Sequence, residues 1–417
     1  MKKSAFTRIT VWAYIFVMLA LVVPIDTTAS AAAAYENAGG VVKSGGNEYD
    51  SYIKQFADKV YASNSVMSFG NEATAIDNAS FSVENDGTSV YWDGNNGSLS
   101  WKLDIPDDAL YTLRMSYAFP DNSVDLKLSV RIDSEVPYEE AEQLYFPKKW
   151  TDTSETVRTD NNGNELAPEQ VLSKEYITND AADDTGINVE PFLFYLTKGV
   201  HILTVNAPKQ PIRISKIGFG APEKVSTYSD YSKNFKLTEE SENNIITIQG
   251  ENAASKSSNS LVAKSDKSNY LMTPSNPRVK KLNYIGGSSW DSPCQTIEWE
   301  FDALKSGYYY LALRYKQSEV INGESYRWLK IDGKTPFEEA KNLKFYYTPK
   351  WKFYKFAGDE EPYYIYLEKG SHTLSLTYTM SSMSEYYKEF SDIVEQLGDK
   401  YIEMVMATGE SPDGNRD

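Results

Sequence analysis

The chain has 417 residues, 59 acidic against 42 basic, for a formal net charge of -17, so it lacks the general attraction to nucleic acid or anionic lipid that a basic protein has. A single cysteine, Cys294, excludes an internal disulfide, which leaves burial to stabilise the fold. With 31 tyrosines, 13% aromatics and apolar residues that mostly alternate with polar ones, the composition favours half-buried β-strands.

The N-terminus reads as a secretory signal peptide over residues 1–31. MKKSAFTR is a basic leader, ITVWAYIFVMLALVVPI an apolar run, and TTASAAAA offers the small residues that a signal peptidase cuts after. The mature start is expected near Ala32, with the protein secreted or at the cell surface. No cysteine follows the apolar run to take a lipid anchor. Residues 32–47 are expected to be disordered.

From there the chain repeats itself. YDSYIKQF (49–56) is echoed by YSDYSKNF (228–235), and YWDGNNGSLSWKLDIPDDALYTLRMSY (91–117) by SWDSPCQTIEWEFDALKSGYYYLALRY (289–315). Next, IDSEVPYEEAEQLYF (132–146) matches IDGKTPFEEAKNLKF (331–345), Trp150 matches Trp351, and EPFLFYLTKGVHILTV (190–205) matches EPYYIYLEKGSHTLSL (361–376). Blocks in one order, at a period far above that of solenoid repeats, imply a duplicated domain. The expected modules are 48–220 and 245–380, joined by a polar linker over 221–244.

Within each module, strands such as TIEWEF, YYYLALRY and YYIYL alternate apolar and polar residues between turns. PFEEAKNL reads as one helical turn, and Gly370 supplies a positive φ to the closing hairpin. Repeated short strands of this kind indicate an all-β fold, two tandem antiparallel β-sandwiches or jelly rolls. The first copy carries about thirty extra polar, turn-rich residues between Trp150 and Glu190, of a length that is often functional or mobile. After residue 380, apolar residues spaced by three and four predict an amphipathic helix over 381–409, followed by a truncated tail, 410–417.

The two histidines, His201 and His372, open the last hairpin strand of each copy. With no second histidine or cysteine nearby they read as scaffold, bonded to the backbone of the preceding turn.

Taken together, GGSSWDSPCQTIEWEFDALKSGYYYLALRY, YRWLKIDGKTPFEEAKNLKFYY, EPYYIYLEKGSHTLSL and TGESPDGNRD resemble the N-terminal half of large secreted solute-binding proteins of bacterial sugar ABC transporters. That resemblance implies tandem carbohydrate-binding-module-like, galactose-binding-like sandwiches. It also implies a downstream solute-binding domain or ABC permease as partner. The solute-binding domain itself does not occur in these residues.

Sugar recognition needs flat aromatic faces and a few planar polar groups. Trp101 and Trp299 sit at in-facing strand positions and read as core. Trp290 and Trp351 lie in loop-like settings and are the leading candidates, with Tyr347, Arg327 and Asp332 beside them and Trp92 and Trp150 as first-copy equivalents. IQGENA resembles the opening strand of carbohydrate-binding modules, where a glutamate such as Glu251 helps hold a structural Ca2+. Such an ion requires about six to eight oxygen ligands, and an unpaired surface acid is the simpler reading.

No zinc, nucleophile-elbow or phosphate-loop motif occurs. The adjacent acids Glu139 with Glu140 and Glu338 with Glu339 do not flank a bond at glycosidase separation and read as solvated faces. Nothing near Cys294 in sequence activates it. The sequence therefore points to an extracellular, non-catalytic carbohydrate-binding tandem module associated with a sugar transporter's solute-binding protein, taking an oligo- or polysaccharide and no nucleic acid. Alternatives are an accessory region of a polysaccharide-degrading enzyme and a structural cell-surface sandwich pair.

Overall fold

The computed structural model describes residues 48–409 apart from 121–123, 155, 236–244, 270–271 and 359–360. The expected signal peptide, the 32–47 segment, the 410–417 tail and the 236–244 part of the linker lie outside the described residues.

Alternation builds the first sandwich. In strand Ser98–Ile105, Leu99, Trp101, Leu103 and Ile105 all point inward and are buried, while Lys102 and Asp104 face solvent. This strand pairs antiparallel with Gly199–Asn206 and Thr74–Ile76, and Val130–Ile132 closes a four-stranded sheet. The facing sheet has Ile212–Gly220 at its centre. Ala109–Ala118 lies on one side of it, and Val66–Phe69 and Val90–Trp92 on the other.

The second sandwich repeats the first of these sheets strand for strand: Ser255–Lys256, Thr296–Ala303, Gly370–Thr379 and Glu324–Ile331 are neighbours in that order. The register repeats too, with Trp299 opposite Leu374 as Trp101 is opposite Leu203. A separate core gathers around Trp299, Phe337, Phe345 and Phe356. The fold is all-β with one long helix.

Each sandwich is clamped by an aromatic turn. Helix Tyr49–Lys54 sets Tyr49 and Tyr52 so that their hydroxyls accept the backbone N–H groups of Leu193 (3.0 Å) and Tyr195 (2.8 Å). Helix Tyr228–Tyr231 does the same with Tyr364 (3.0 Å) and Tyr366 (3.1 Å). Residues 227–235, expected within the linker, therefore belong to the second sandwich. The aromatic residues of YSDYSKNF, which pack on Phe337 and Tyr308, explain the difference.

The extra residues of the first copy also depart from expectation. Instead of a mobile loop they form a strap. Trp150–Asp152 and Gln170–Leu172 extend the second sandwich's sheet through the bridge of Trp150 to Lys256. Asp152 pairs with the ammonium of Lys256, and Glu165 binds Lys281 (2.6 Å) and the Leu282 N–H (2.8 Å). The two sandwiches are stitched by strand pairing and ion pairs.

Helix Met383–Thr408 follows the second sandwich and ends at Gly409, whose φ is 76°. Lys388 near its start pairs with Asp50. None of its residues is buried, so its apolar stripe, including Phe390, Val394, Leu397 and Tyr401, is uncovered within the described residues.

Candidate functional site

The two histidines are latches. Asp332 and Gly333, at φ of 51° and 72°, form the tight turn after strand Glu324–Ile331, a left-handed pair that two-residue hairpins require. Held there, the Asp332 carboxylate accepts from His372 Nδ1 (2.7 Å) and from the Thr373 N–H (2.8 Å), while His372 Nε2 meets the Glu368 carbonyl at 2.7 Å. Asp133, His201 and Thr197 repeat this arrangement at 2.6 and 2.8 Å. The expected bond from each histidine to its turn is present. Asp332, however, is a latch residue rather than a sugar contact, because turn geometry aims its carboxylate at the imidazole.

The Glu368 carbonyl and Asp332 together raise the pKa of His372 above its ordinary value, since both ring nitrogens face oxygens that only accept. A raised folded-state pKa gives stability that is complete below the unfolded value, about 6.5, and is lost as pH climbs through the folded one. The unfolding midpoint of the second sandwich should therefore fall as pH rises from about 6.5 through the raised folded-state value. His372→Gln should flatten that slope in thermal melts, and an unchanged slope would place the titrating group elsewhere.

Several expected sugar contacts prove to be interior. Trp92 is 0% exposed, on a strand that pairs it with Ile212 on one side and Phe81 on the other. Trp150 is buried in the joint opposite Leu172. Arg327 is buried too. Its guanidinium lies 4.1 Å from the centre of the Trp290 ring and 4.7 Å from that of Tyr378, and donates to the Tyr326 carbonyl at 2.8 Å. Burial pulls its pKa down to about 9. Strand Glu324–Ile331 pairs Arg327 directly with Tyr378, so the register aims the side chain inward. Trp290 itself is half-buried, with its indole N–H on the Gln295 carbonyl (3.0 Å). Tyr347, also half-buried, is tied by its backbone N–H to Gly323 (3.0 Å).

Trp351 keeps a different setting. It is half-buried in strand Thr348–Lys355, its indole N–H donates to Asp266 Oδ2 (2.8 Å), and Tyr284 meets its ring edge-on with centroids 5.5 Å apart. Lys316, on the paired strand Ala312–Gln317, places its ammonium 3.5 Å from the same carboxylate. Lys264 pins the neighbouring loop through the Gly286 carbonyl (2.7 Å) and Ser289 (2.8 Å). Burial works to raise the Asp266 pKa, but hydrogen bonds from Ser268 and Trp351 and the charge of Lys316 outweigh it and hold it at about 2. The result is a fixed aromatic pair bordered by a permanent carboxylate and an ammonium. Asp266, Tyr284 and Lys316 were missed in sequence. Asp266 lies 85 residues from Trp351 in sequence, so no local signal joins them.

Glu251 is not a surface acid. It is buried, which raises its pKa, and its Oε2 lacks a hydrogen-bond partner. Among the described residues no group of three or more His, Cys, Asp or Glu gathers to hold an ion. The nearby Glu165 is committed to Lys281.

One acid of each adjacent pair has a structural use instead of a solvated one. Glu140 accepts the Tyr49 N–H and Glu339 the Tyr228 N–H, each at 2.8 Å. Burial pushes the Cys294 thiol up to about 12, with its sulfur on the Asp183 carbonyl, so it is no nucleophile at neutral pH.

The fold and site define an all-β protein of two antiparallel sandwiches with an aromatic, charge-bordered patch on the second. No known family matches the chain, and no curated protein sequence does. Among solved structures, it is similar to a family 35 carbohydrate binding module from Clostridium thermocellum at 12% identity, covering 38% of this chain and all (100%) of that one, with a TM-score of 0.23. A family 35 module from Paenibacillus barcinonensis aligns at 11% identity over 37% of this chain and 98% of that one, TM-score 0.22. An exo-beta-1,3-galactanase from Phanerochaete chrysosporium aligns at 9% identity over 38% of this chain, TM-score 0.23, and only 29% of the galactanase is spanned.

Proposed function

We propose that the chain is an extracellular, non-catalytic carbohydrate-binding protein whose second sandwich holds an oligo- or polysaccharide against Trp351. The observation that carries this is the Trp351 patch. A ring locked by Asp266 and Tyr284 loses little entropy on stacking against a sugar face, and the Asp266 and Lys316 groups beside it can exchange hydrogen bonds with hydroxyls. The transporter association rests on the resemblance of the sequence blocks.

Affinity electrophoresis through gels cast with soluble polysaccharides, backed by a glycan array, tests the reading. Retardation by at least one glycan is expected, and retention by none would overturn it. For the cellular context, a solute-binding domain encoded downstream would support the transporter, whereas a barrel or β-helix bearing paired carboxylates would replace it with the accessory-enzyme reading.

A further inference from the structure

The Trp351 patch continues along the sheet face that carries it. Strand Gly307–Tyr310 pairs with Tyr364–Leu367, which sets Tyr308 opposite Tyr366 and Tyr310 opposite Tyr364. Ile365 and Leu367 are buried in the core and Tyr309 packs against it, so alternation turns the other four tyrosines to the outer face. Their rings meet across the strands, Tyr308 with Tyr366 at 5.3 Å and Tyr310 with Tyr364 at 6.0 Å between centroids.

The next strand pair carries this face on to the tryptophan. Lys355 stands opposite Ala312 and holds its ammonium 5.2 Å from the centre of the Tyr310 ring, which puts the two side chains on one face. Phe353 lies two residues back along Thr348–Lys355 and Trp351 two further back, so both share that face. Tyr354, between Phe353 and Lys355, turns the other way onto Tyr315 and Phe345. Lys316, beside the same Asp266 carboxylate that holds Trp351, closes the far end. From position 308 to position 316 the strip runs about 26 Å at the usual strand rise.

The strip is open. Phe353 is 70% exposed, Tyr310 49% and Tyr366 47%. Its large apolar side chains are aromatic rings, four of them bearing a hydroxyl, and the ammonium groups of Lys355 and Lys316 stand among them. The matching positions of the first copy hold Leu110, Thr112 and Leu193, with Leu110 and Thr112 buried. The aromatic face is particular to the second sandwich.

We propose that this strip extends the Trp351 site, so that the second sandwich takes an internal stretch of an extended polysaccharide chain laid along its strands, and not a chain end or a single sugar. The inference rests on the carbohydrate reading of Trp351. Rings set in a row on one flat face suit a ligand that repeats a CH-rich face along its length, while tyrosine hydroxyls and lysine ammonium groups bond the hydroxyls at its edges. Because the strip is continuous with Trp351, one chain meets both.

The test is isothermal titration of the full chain with a disaccharide, a tetrasaccharide and a hexasaccharide of the glycan best retained in affinity gels, with cellulose, xylan, mannan and galactan fragments as the starting set. Binding should tighten with length, the hexasaccharide at least about tenfold more tightly held than the disaccharide. In Tyr310→Ala and in Phe353→Ala, both at exposed positions, that ratio should shrink about threefold or more. Short and long forms that bind alike would overturn the proposal and leave the Trp351 reading standing, whereas binding of no form at all would remove both. A ratio that survives both substitutions would also overturn it and assign the strip to another occupant.

Discussion

Asp152→Ala is expected to destabilise the joint between the sandwiches by about 3 kcal/mol. The Lys256 side chain is 1% exposed and its ammonium pairs with Asp152, so removing the carboxylate leaves a buried charge with only the Gln170 side-chain oxygen at 3.3 Å. Losing a partner costs more than the pair was worth, because the remaining charge stays desolvated. Calorimetry should show the second sandwich melting in a separate, earlier transition, and Asp152→Asn should recover part of the loss. A melt like that of the unmodified protein would mean that the strap holds through strand pairing alone.

Trp92→Ala should cost the first sandwich about 3–5 kcal/mol in urea unfolding. The ring is fully buried on a strand paired on both sides, opposite Ile212 and Phe81, so a void left there has strands on both sides. Its indole N–H has no partner, which trims the loss slightly. Trp290→Ala, at the position that the sequence blocks pair with Trp92 but half-buried and outside any strand, should cost about half as much. A loss under about 1 kcal/mol for Trp92 would show that the site collapses without penalty.

Much of the fold was legible because strand alternation has a period of two and the duplicated blocks preserve it. Ile297 and Trp299 face inward as TIEWEF implies, the turn glycines Gly199 and Gly370 take positive φ, and the helix after residue 380 forms as its spacing requires. The site was less legible. Whether a tryptophan is exposed depends on what lies over it. Trp92 is buried on a strand paired with Ile212, 120 residues on, and Trp150 is buried where the strap meets Lys256 of the second sandwich. Asp332 drew attention as a polar residue in a loop, but its carboxylate answers to His372 forty residues on. Local sequence carries the turn chemistry and not the identity of the distant partner, and the same holds for Asp266, which meets Trp351 from 85 residues away.

The carbohydrate reading meets its most direct test in isothermal titration of the best-retained glycan into the unmodified protein and into Trp351→Ala. The account predicts one site per chain and an affinity at least tenfold weaker in the variant (about 1.4 kcal/mol), with the variant still folded at the titration temperature. Equal affinity in both proteins would contradict it and move the binding surface away from Trp351.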